Sequence, residues 1–263
     1  MRFSVISVCW NYLDGVKTTT PSILAQKFKD FEWIIVDGNS TDGTRQWLTE
    51  QKLDYLRLVT IDKWGLFESM NKGLDHVKGD YFIFMNCGDE FYDDDVLSRI
   101  DKTITSAGEP PGFIYGDSID IAPDKTRYYQ KAKDYKKMWR GFFAHHIAMY
   151  YHTASFNGRR YGDDYKYCGD YALLCDLLMG FEAKGKNIVK VDFPVCIFEM
   201  GGWSDTTRKK SLFDDYRIRK NILKLWWPLP ELLFVLHYGD MYFKKYFPRV
   251  ARGIRLKKIK NKK

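Results

Sequence analysis

The chain is short of several things, and each shortage excludes a class of protein. Its 263 residues include five cysteines, Cys9, Cys87, Cys168, Cys175 and Cys196, an odd number with no Cys-x-x-Cys spacing. That excludes a disulfide-built secreted scaffold and a cysteine zinc site, and it reads as reduced thiols in a cytosolic protein. No apolar run reaches the roughly 20 residues that span a bilayer. Residues 1–8 are too short in apolar character for a secretory signal and read as a first strand. The segment after that strand, Asn11-Tyr12-Leu13-Asp14-Gly15, is not the Gly-x-Gly-x-x-Gly of a nicotinamide-binding unit. Nor is it the Gly-rich, basic triphosphate loop that a nucleotidyltransferase would need there. Internal repeats and low-complexity linkers are absent too.

An apolar content of 45% with 17% aromatics describes a globular chain, long enough for one large α/β domain and a modest appendage. The net charge of +8 is concentrated at one end: residues 240–263 carry ten Lys or Arg against one Asp, a balance of +9 that leaves the rest at −1. A basic tail of this kind is not a nucleic-acid-binding surface spread over a domain.

Strand-like runs occur at Phe3–Val8, Trp33–Val36, Tyr55–Ile61 and Tyr81–Met85, with further ones at Phe113–Asp117 and Ile188–Phe193. Helices are expected from Thr19 to Lys29, from near Thr44, and from Leu66 to Val77, where Leu66, Met70, Leu74 and Val77 recur at helical spacing. Two more are expected, from Asp170 to Gly180 and from Lys209 to Leu225, the second ended by Trp226-Trp227-Pro228-Leu229-Pro230. Strands alternating with helices imply a mainly parallel sheet with right-handed crossovers.

In such a sheet, ligands bind outside the carboxyl ends of the strands. Asp37 directly follows Ile34-Ile35-Val36, and Asp89 closes the turn Asn86-Cys87-Gly88-Asp89 after Tyr81–Met85. A carboxylate at Asp37 could accept hydrogen bonds from a nucleobase N–H or a ribose hydroxyl. One at Asp89 suits a hard divalent cation, Mn²⁺ or Mg²⁺, that in turn holds a diphosphate. Two acids at separate strand ends imply a nucleotide site.

The order of motifs resembles the family 2 glycosyltransferases of the GT-A fold, in their polysaccharide-biosynthesis branch. The likeness runs through Val5-Ile6-Ser7-Val8-Cys9-Trp10-Asn11, Asp37-Gly38-Asn39-Ser40-Thr41-Asp42-Gly43-Thr44, Met70-Asn71-Lys72-Gly73 and Asn86-Cys87-Gly88-Asp89. The resemblance implies donor-binding roles for Asn11, Asp37, Asn71 and Gly88, and a metal-ligand role for Asp89. The family's Asp-x-Asp pattern is degenerate here, with Asn86 and Gly88 in its first two places, so Asp89 is the one assured carboxylate. Looser matches are Tyr115-Gly116-Asp117, His146-Ile147-Ala148-Met149-Tyr150 and Gly201-Gly202-Trp203-Ser204. They imply substrate contacts for Asp117, His146 and Gly202; Asp62 is a further candidate, beside Lys63 where many relatives carry Asp. Tyr167-Cys168-Gly169-Asp170-Tyr171 stands at the family's catalytic motif, which makes Asp170 the implied general base.

The expectation is a GT-A catalytic domain over residues 1–205 and a helical, basic extension over 206–263. It would move a sugar, with inversion, from a nucleoside-diphosphate donor to a glycan or lipid-linked acceptor. Trp226, Trp227, Leu232–Leu236 and the basic residues after them fit a reversible seat on an anionic membrane surface, on its cytoplasmic face. The competing readings are a nucleotidyltransferase that makes the activated sugar and a non-catalytic glycan- or membrane-binding module.

Overall fold

The structure, a computed structural model, describes residues 1–200, 207–247 and 257–258. In chain order, β1 (Phe3–Cys9), α1 (Leu13–Leu24), β2 (Phe31–Asp37), α2 (Thr44–Glu50), β3 (Leu56–Thr60), α3 (Leu66–Leu74) and β4 (Tyr81–Phe84) form an alternating first half. Then come β5 (Glu90–Phe91), α4 (Val96–Ser106), β6 (Phe113–Ile121), β7 (Arg127–Gln130), β8 (Met149–His152), α5 (Thr153–Phe156), α6 (Gly169–Ala183) and β9 (Ile188–Glu199). Last in the chain are α7 (Arg208–Asn221), α8 (Leu229–Tyr246) and β10 (Lys257–Lys258), and single 3₁₀ turns lie at Tyr135–Arg140 and His146–Ala148.

The sheet is parallel through β3, β2, β1 and β4. β8 then lies antiparallel between β4 and β6. β6 carries the β7 hairpin on the β8 side and β9, parallel, on the other, while β5 pairs with β9 and β10 with β7. Strands β1 and β2 are buried along their whole length, which is why they read as unbroken apolar runs. Their alternate residues feed two cores. Ile6, Val8, Ile34 and Val36 meet α3 and α6, while Phe3, Val5, Trp33 and Ile35 meet α1 and α4. The polar residues within these strands are satisfied: Ser4 donates to Glu32 at 2.6 Å and the Trp33 indole to Ser7 at 2.9 Å.

Two expectations need correction. The first helix spans Leu13–Leu24, not Thr19 to Lys29, so Pro21 lies inside it. Its buried face is Gly15, Val16, Thr19, Thr20 and Ile23, too small and polar to show an apolar period. It stops because the Lys27 N–H turns away to the Asp94 carbonyl, 2.9 Å off. Asp117 is not at a strand end either: β6 runs on to Ile121 through an irregularity in its β9 pairing at Tyr115–Ser118. There Gly116 lets β9 come close, since a Cβ on it would sit 2.8 Å from Val191 and 2.9 Å from Val195. β9 begins at its expected residue but runs on past Phe193 to Glu199, and Pro230 sits in the first turn of α8, where a missing N–H costs nothing.

Candidate active site

The loops leaving β1, β2 and β3 interlock at the carboxyl edge of the sheet. Asn11, at φ 47°, accepts from the Thr41 N–H at 2.8 Å, and its own N–H donates to the Ser40 hydroxyl at 2.8 Å. Asp37 is fully buried; its carboxylate accepts the Ser40 N–H at 3.0 Å and the Ser40 hydroxyl. Here Asp37 therefore shapes the loop, and Asn11 pins that loop to β1. Asp42 accepts from Thr44 N–H at 3.0 Å and Leu13 N–H at 3.1 Å, tying α2 to α1. Exposed Asp62 stays on the same edge because the Ile61 N–H bonds the Asp37 carbonyl at 3.0 Å. Over Gly38 the rings of Trp10 and Trp64 stack at 6.0 Å. Neither tryptophan was singled out by sequence; an aromatic directly after an apolar first strand is the signal that could have found Trp10.

The turn after β4 is built against α1. Gly88 holds φ +101°, which a residue with a Cβ rarely adopts, and its N–H bonds the Gly15 carbonyl at 3.0 Å and Thr19 Oγ1 at 2.9 Å. The Thr19 hydroxyl in turn donates to the Asp89 carbonyl at 2.7 Å. The Asp89 carboxyl is 9% exposed and pushed up to about 8, first by burial, then by the nearby Glu199 and Glu90 carboxylates; a Glu199 backbone N–H bond opposes the shift. Asn86 Oδ1 in the same turn is buried with no partner. Among the described residues Asp89 has no ion pair, and no three His, Cys, Asp or Glu side chains converge into a protein-only metal site. A desolvated carboxylate without a cation beside an amide oxygen without a donor fits a hard divalent ion, whose remaining ligands would be diphosphate and water oxygens. Cys9 joins the two loops: its thiol donates to Asp37 at 3.6 Å and is pushed up by a hydrogen bond with Cys87 and by burial. Glu199 was missed by sequence, because only the β5–β9 pairing brings it to this turn.

Asp170 is the second residue of α6. Burial pushes its carboxyl up to about 6; the Asp215 carboxylate adds to the rise, and the Tyr171 N–H, donating at 2.9 Å, opposes it. Phe67 of α3 covers Gly169, stacks on Tyr161 at 5.1 Å, and Tyr161 meets Phe84 edge-on at 5.9 Å. Both groups of the Asn71 side-chain amide bond the Tyr161 backbone at 2.9 Å, so Asn71 holds this aromatic floor in place. His146 tilts on Phe84 at 5.9 Å with Nε2 buried and unpartnered, and burial lowers it to about 4, which leaves the imidazole neutral at pH 7. Asn71 and His146 thus gather around Tyr161 and Phe84, and the Asp170 carboxylate is near enough to Tyr161 to help push its hydroxyl up. Asp117 is not part of that group: its carboxylate accepts from the Tyr129 hydroxyl and, at 2.8 Å, the Ala132 N–H. Gly202 lies outside the described residues.

Comparison with known proteins bears on the family and the fold. An uncharacterized glycosyltransferase of Mycobacterium tuberculosis is 29% identical over 127 residues, 47% of this chain and 48% of that one. A PGL/p-HBAD biosynthesis glycosyltransferase of the same species is 32% identical over 120 residues, 44% of this chain and 46% of that one. A putative teichuronic acid biosynthesis glycosyltransferase of Bacillus subtilis, TuaG, is 33% identical over 101 residues, 37% of this chain and 40% of that one. The chain therefore aligns with about half or less of each relative. Among solved structures, S. aureus TarS 1-349 in complex with UDP-GlcNAc matches 96% of this chain and 75% of its own, at TM-score 0.63 and 16% identity. The mannosyltransferase PcManGT of Pyrobaculum calidifontis, in complex with GDP-Man and Mn²⁺, matches 95% and 72% at TM-score 0.63 and 17% identity. These likenesses establish a shared GT-A fold. The description Glycosyl transferase family 2 fits residues 4–163, more than half of the sequence, and the chain belongs to that family.

Proposed function

We propose that this protein transfers a sugar from a nucleoside-diphosphate donor to a hydroxyl of a glycan or lipid-linked glycan in cell-surface polysaccharide synthesis. The observation that carries the reading is Asp170, a half-buried carboxyl at the start of α6 that desolvation pushes up to about 6. The relatives' names, in PGL/p-HBAD and teichuronic acid biosynthesis, support a cell-surface glycan role. An acceptor hydroxyl is a poor nucleophile until a base takes its proton. The Asp170 carboxylate is raised enough to do so yet ionised at neutral pH. Direct displacement with one base inverts the anomeric carbon. Asn11 and Gly88 shape the donor side, and Asp89 would hold Mn²⁺ or Mg²⁺, which when bound neutralises charge on the departing diphosphate. Incubating the protein with UDP-, GDP- and dTDP-sugars, with and without Mn²⁺, tests this. Release of a nucleoside diphosphate and an inverted product by NMR are expected. Pyrophosphate formation from a sugar phosphate would identify a nucleotidyltransferase instead, and no turnover with any donor would leave a binding module.

We further propose a seat on anionic lipid for the C-terminal part. Among the described residues no helix is long and apolar enough to cross a membrane. Trp226 and Trp227 are 74% and 76% exposed, and Leu232, Val235, Leu236, Phe243, Tyr246 and Phe247 are exposed along α8. Aromatics favour the headgroup region, and each basic residue there adds about 1 kcal/mol on an anionic leaflet. Because β10 pairs with β7, the test should neutralise charge and not truncate the chain. Wild-type protein should co-sediment with anionic vesicles at 0.1 M salt and release partly at 1 M, where the Debye length falls from ~10 Å to ~3 Å. Lys/Arg→Gln substitutions within residues 240–263 should abolish most of the low-salt binding. Equal sedimentation of both proteins would leave the tail without this role.

A further inference from the structure

The helix that carries Asp170 is held at its start by α7, which lies beyond the matched family region. Asp214 and Asp215 of α7 are 6% and 7% exposed, and both face the residues directly before α6. The Tyr167 N–H donates to Asp214 Oδ2 at 2.8 Å. The Cys168 thiol lies 3.4 Å from Asp215 Oδ1 and 3.4 Å from the Ser211 carbonyl. Arg217 bonds the Asp164 carbonyl at 2.8 Å and also reaches Asp214 at 3.4 Å. α7 is itself anchored deeply: Arg219 is fully buried, donates to the Trp139 carbonyl at 2.9 Å, and meets His237 of α8 at 3.3 Å.

Buried carboxylates are costly unless bonded, and these two spend their bonds on the segment that aims the base. We propose that Asp214 and Asp215 are positioning residues for the Asp170 carboxylate, so that the C-terminal helix pair is part of the catalytic unit and not an appendage. The proposal rests on the reading of Asp170 as the base. Misplacing a reacting group by about 1 Å can cost roughly 10²-fold in rate, so a clamp on residues 167–168 acts directly on kcat.

The charges around Asp170 give the clamp a signature. Asp215 acts on it from α7. Arg208 at 3.8 Å and Arg219 at 4.0 Å partly offset Asp215. Tyr151 of β8, Tyr161 and the Cys168 and Cys175 thiols surround the group without adding charge at neutral pH, because burial pushes all four up. Asp215 is thus the carboxylate that adds to the rise at Asp170.

The experiment measures single-turnover transfer against pH for full-length wild type, Asp215→Asn, Cys168→Val and Asp170→Asn, with donor affinity read separately. For Asp215→Asn, kcat should fall by roughly 10–100-fold with donor KM nearly unchanged. Its acid limb should move to lower pH, because the negative charge that favours the protonated base is gone. A purely structural role would lower activity at all pH values and leave the limb in place; that outcome, or an unchanged kcat, overturns the proposal. Should Asp215→Asn fail to fold, Cys168→Val removes the thiol bond at similar volume but keeps the Asp215 charge, so its kcat should fall with donor KM nearly unchanged, and an unchanged kcat counts equally against the proposal. Asp170→Asn separates the two readings: if it stays within a few-fold of wild type, the base assignment itself fails and the clamp with it. If it is inactive while the Asp215→Asn limb does not move, only the clamp fails.

Discussion

Asp170→Asn is expected to lower sugar transfer by about 10²–10⁴-fold, the usual worth of a general base, while donor affinity changes little. The amide keeps the size of the side chain and can still accept the Tyr171 N–H, so the start of α6 should survive. In the wild type the carboxyl is pushed up to about 6 by burial and by Asp215. The base works only when ionised, so kcat should be flat above that pH and fall by about tenfold per unit below it. Stopped-flow or discontinuous assay across pH 4.5–8 would show this limb, and the variant's residual rate should lack it. If transfer by the variant persisted near the wild-type rate, His146, with its open Nε2, would be the next group to examine.

Asp89→Asn is expected to abolish Mn²⁺-dependent donor binding in calorimetry and to change stability in a direction fixed by charge. The folded carboxyl is pushed up to about 8, against 3.8 for the ordinary group, so the folded state holds its proton more tightly than the unfolded state. Between those values stability falls as pH rises, because the carboxyl is protonated in the folded state and gives up its proton on unfolding. Below about pH 4 the group is neutral in both states and costs nothing. Without metal, the Asn variant should therefore melt higher than wild type at pH 8–9, by about 2–4 °C for each kcal/mol relieved, and the gap should close as pH drops towards 4. Added Mn²⁺ should raise the melting temperature of the wild type alone. Undiminished cation and donor affinity in a folded variant would remove Asp89 from the site.

The features legible in residue order alone are those that local chemistry decides. Asp37 and Asp89 were legible because each ends an apolar run that only a doubly buried strand explains. The start of α6 near Asp170 was legible in the residues, but a base role for Asp170 came only through resemblance, since an acid in the first turn of a helix is equally a dipole partner. α1 was misplaced because glycine and threonines interrupt Val16 and Ile23 on its buried face, which leaves too weak a hydropathy period. The position of Asp117 in mid-strand was hidden because an irregular pairing leaves no mark in the residue order. Trp10 against Trp64, Glu199 beside Asp89 and Asp215 behind Asp170 are contacts between distant segments. Each residue taken alone looks like an ordinary surface aromatic or acid, and only the sheet order and the docking of α7 give it a neighbour.

The pairing of β10 with β7 has a consequence for how copies of this protein coexist. An open strand edge presents unpaired N–H and C=O groups on which another chain can build, and β7 would be such an edge if nothing lay beside it. Among the described residues the strand paired with it is two residues long, Lys257–Lys258. A very short outermost strand offers little backbone for a further strand to grip, so this pairing leaves less of the β7 edge on which a second copy could build.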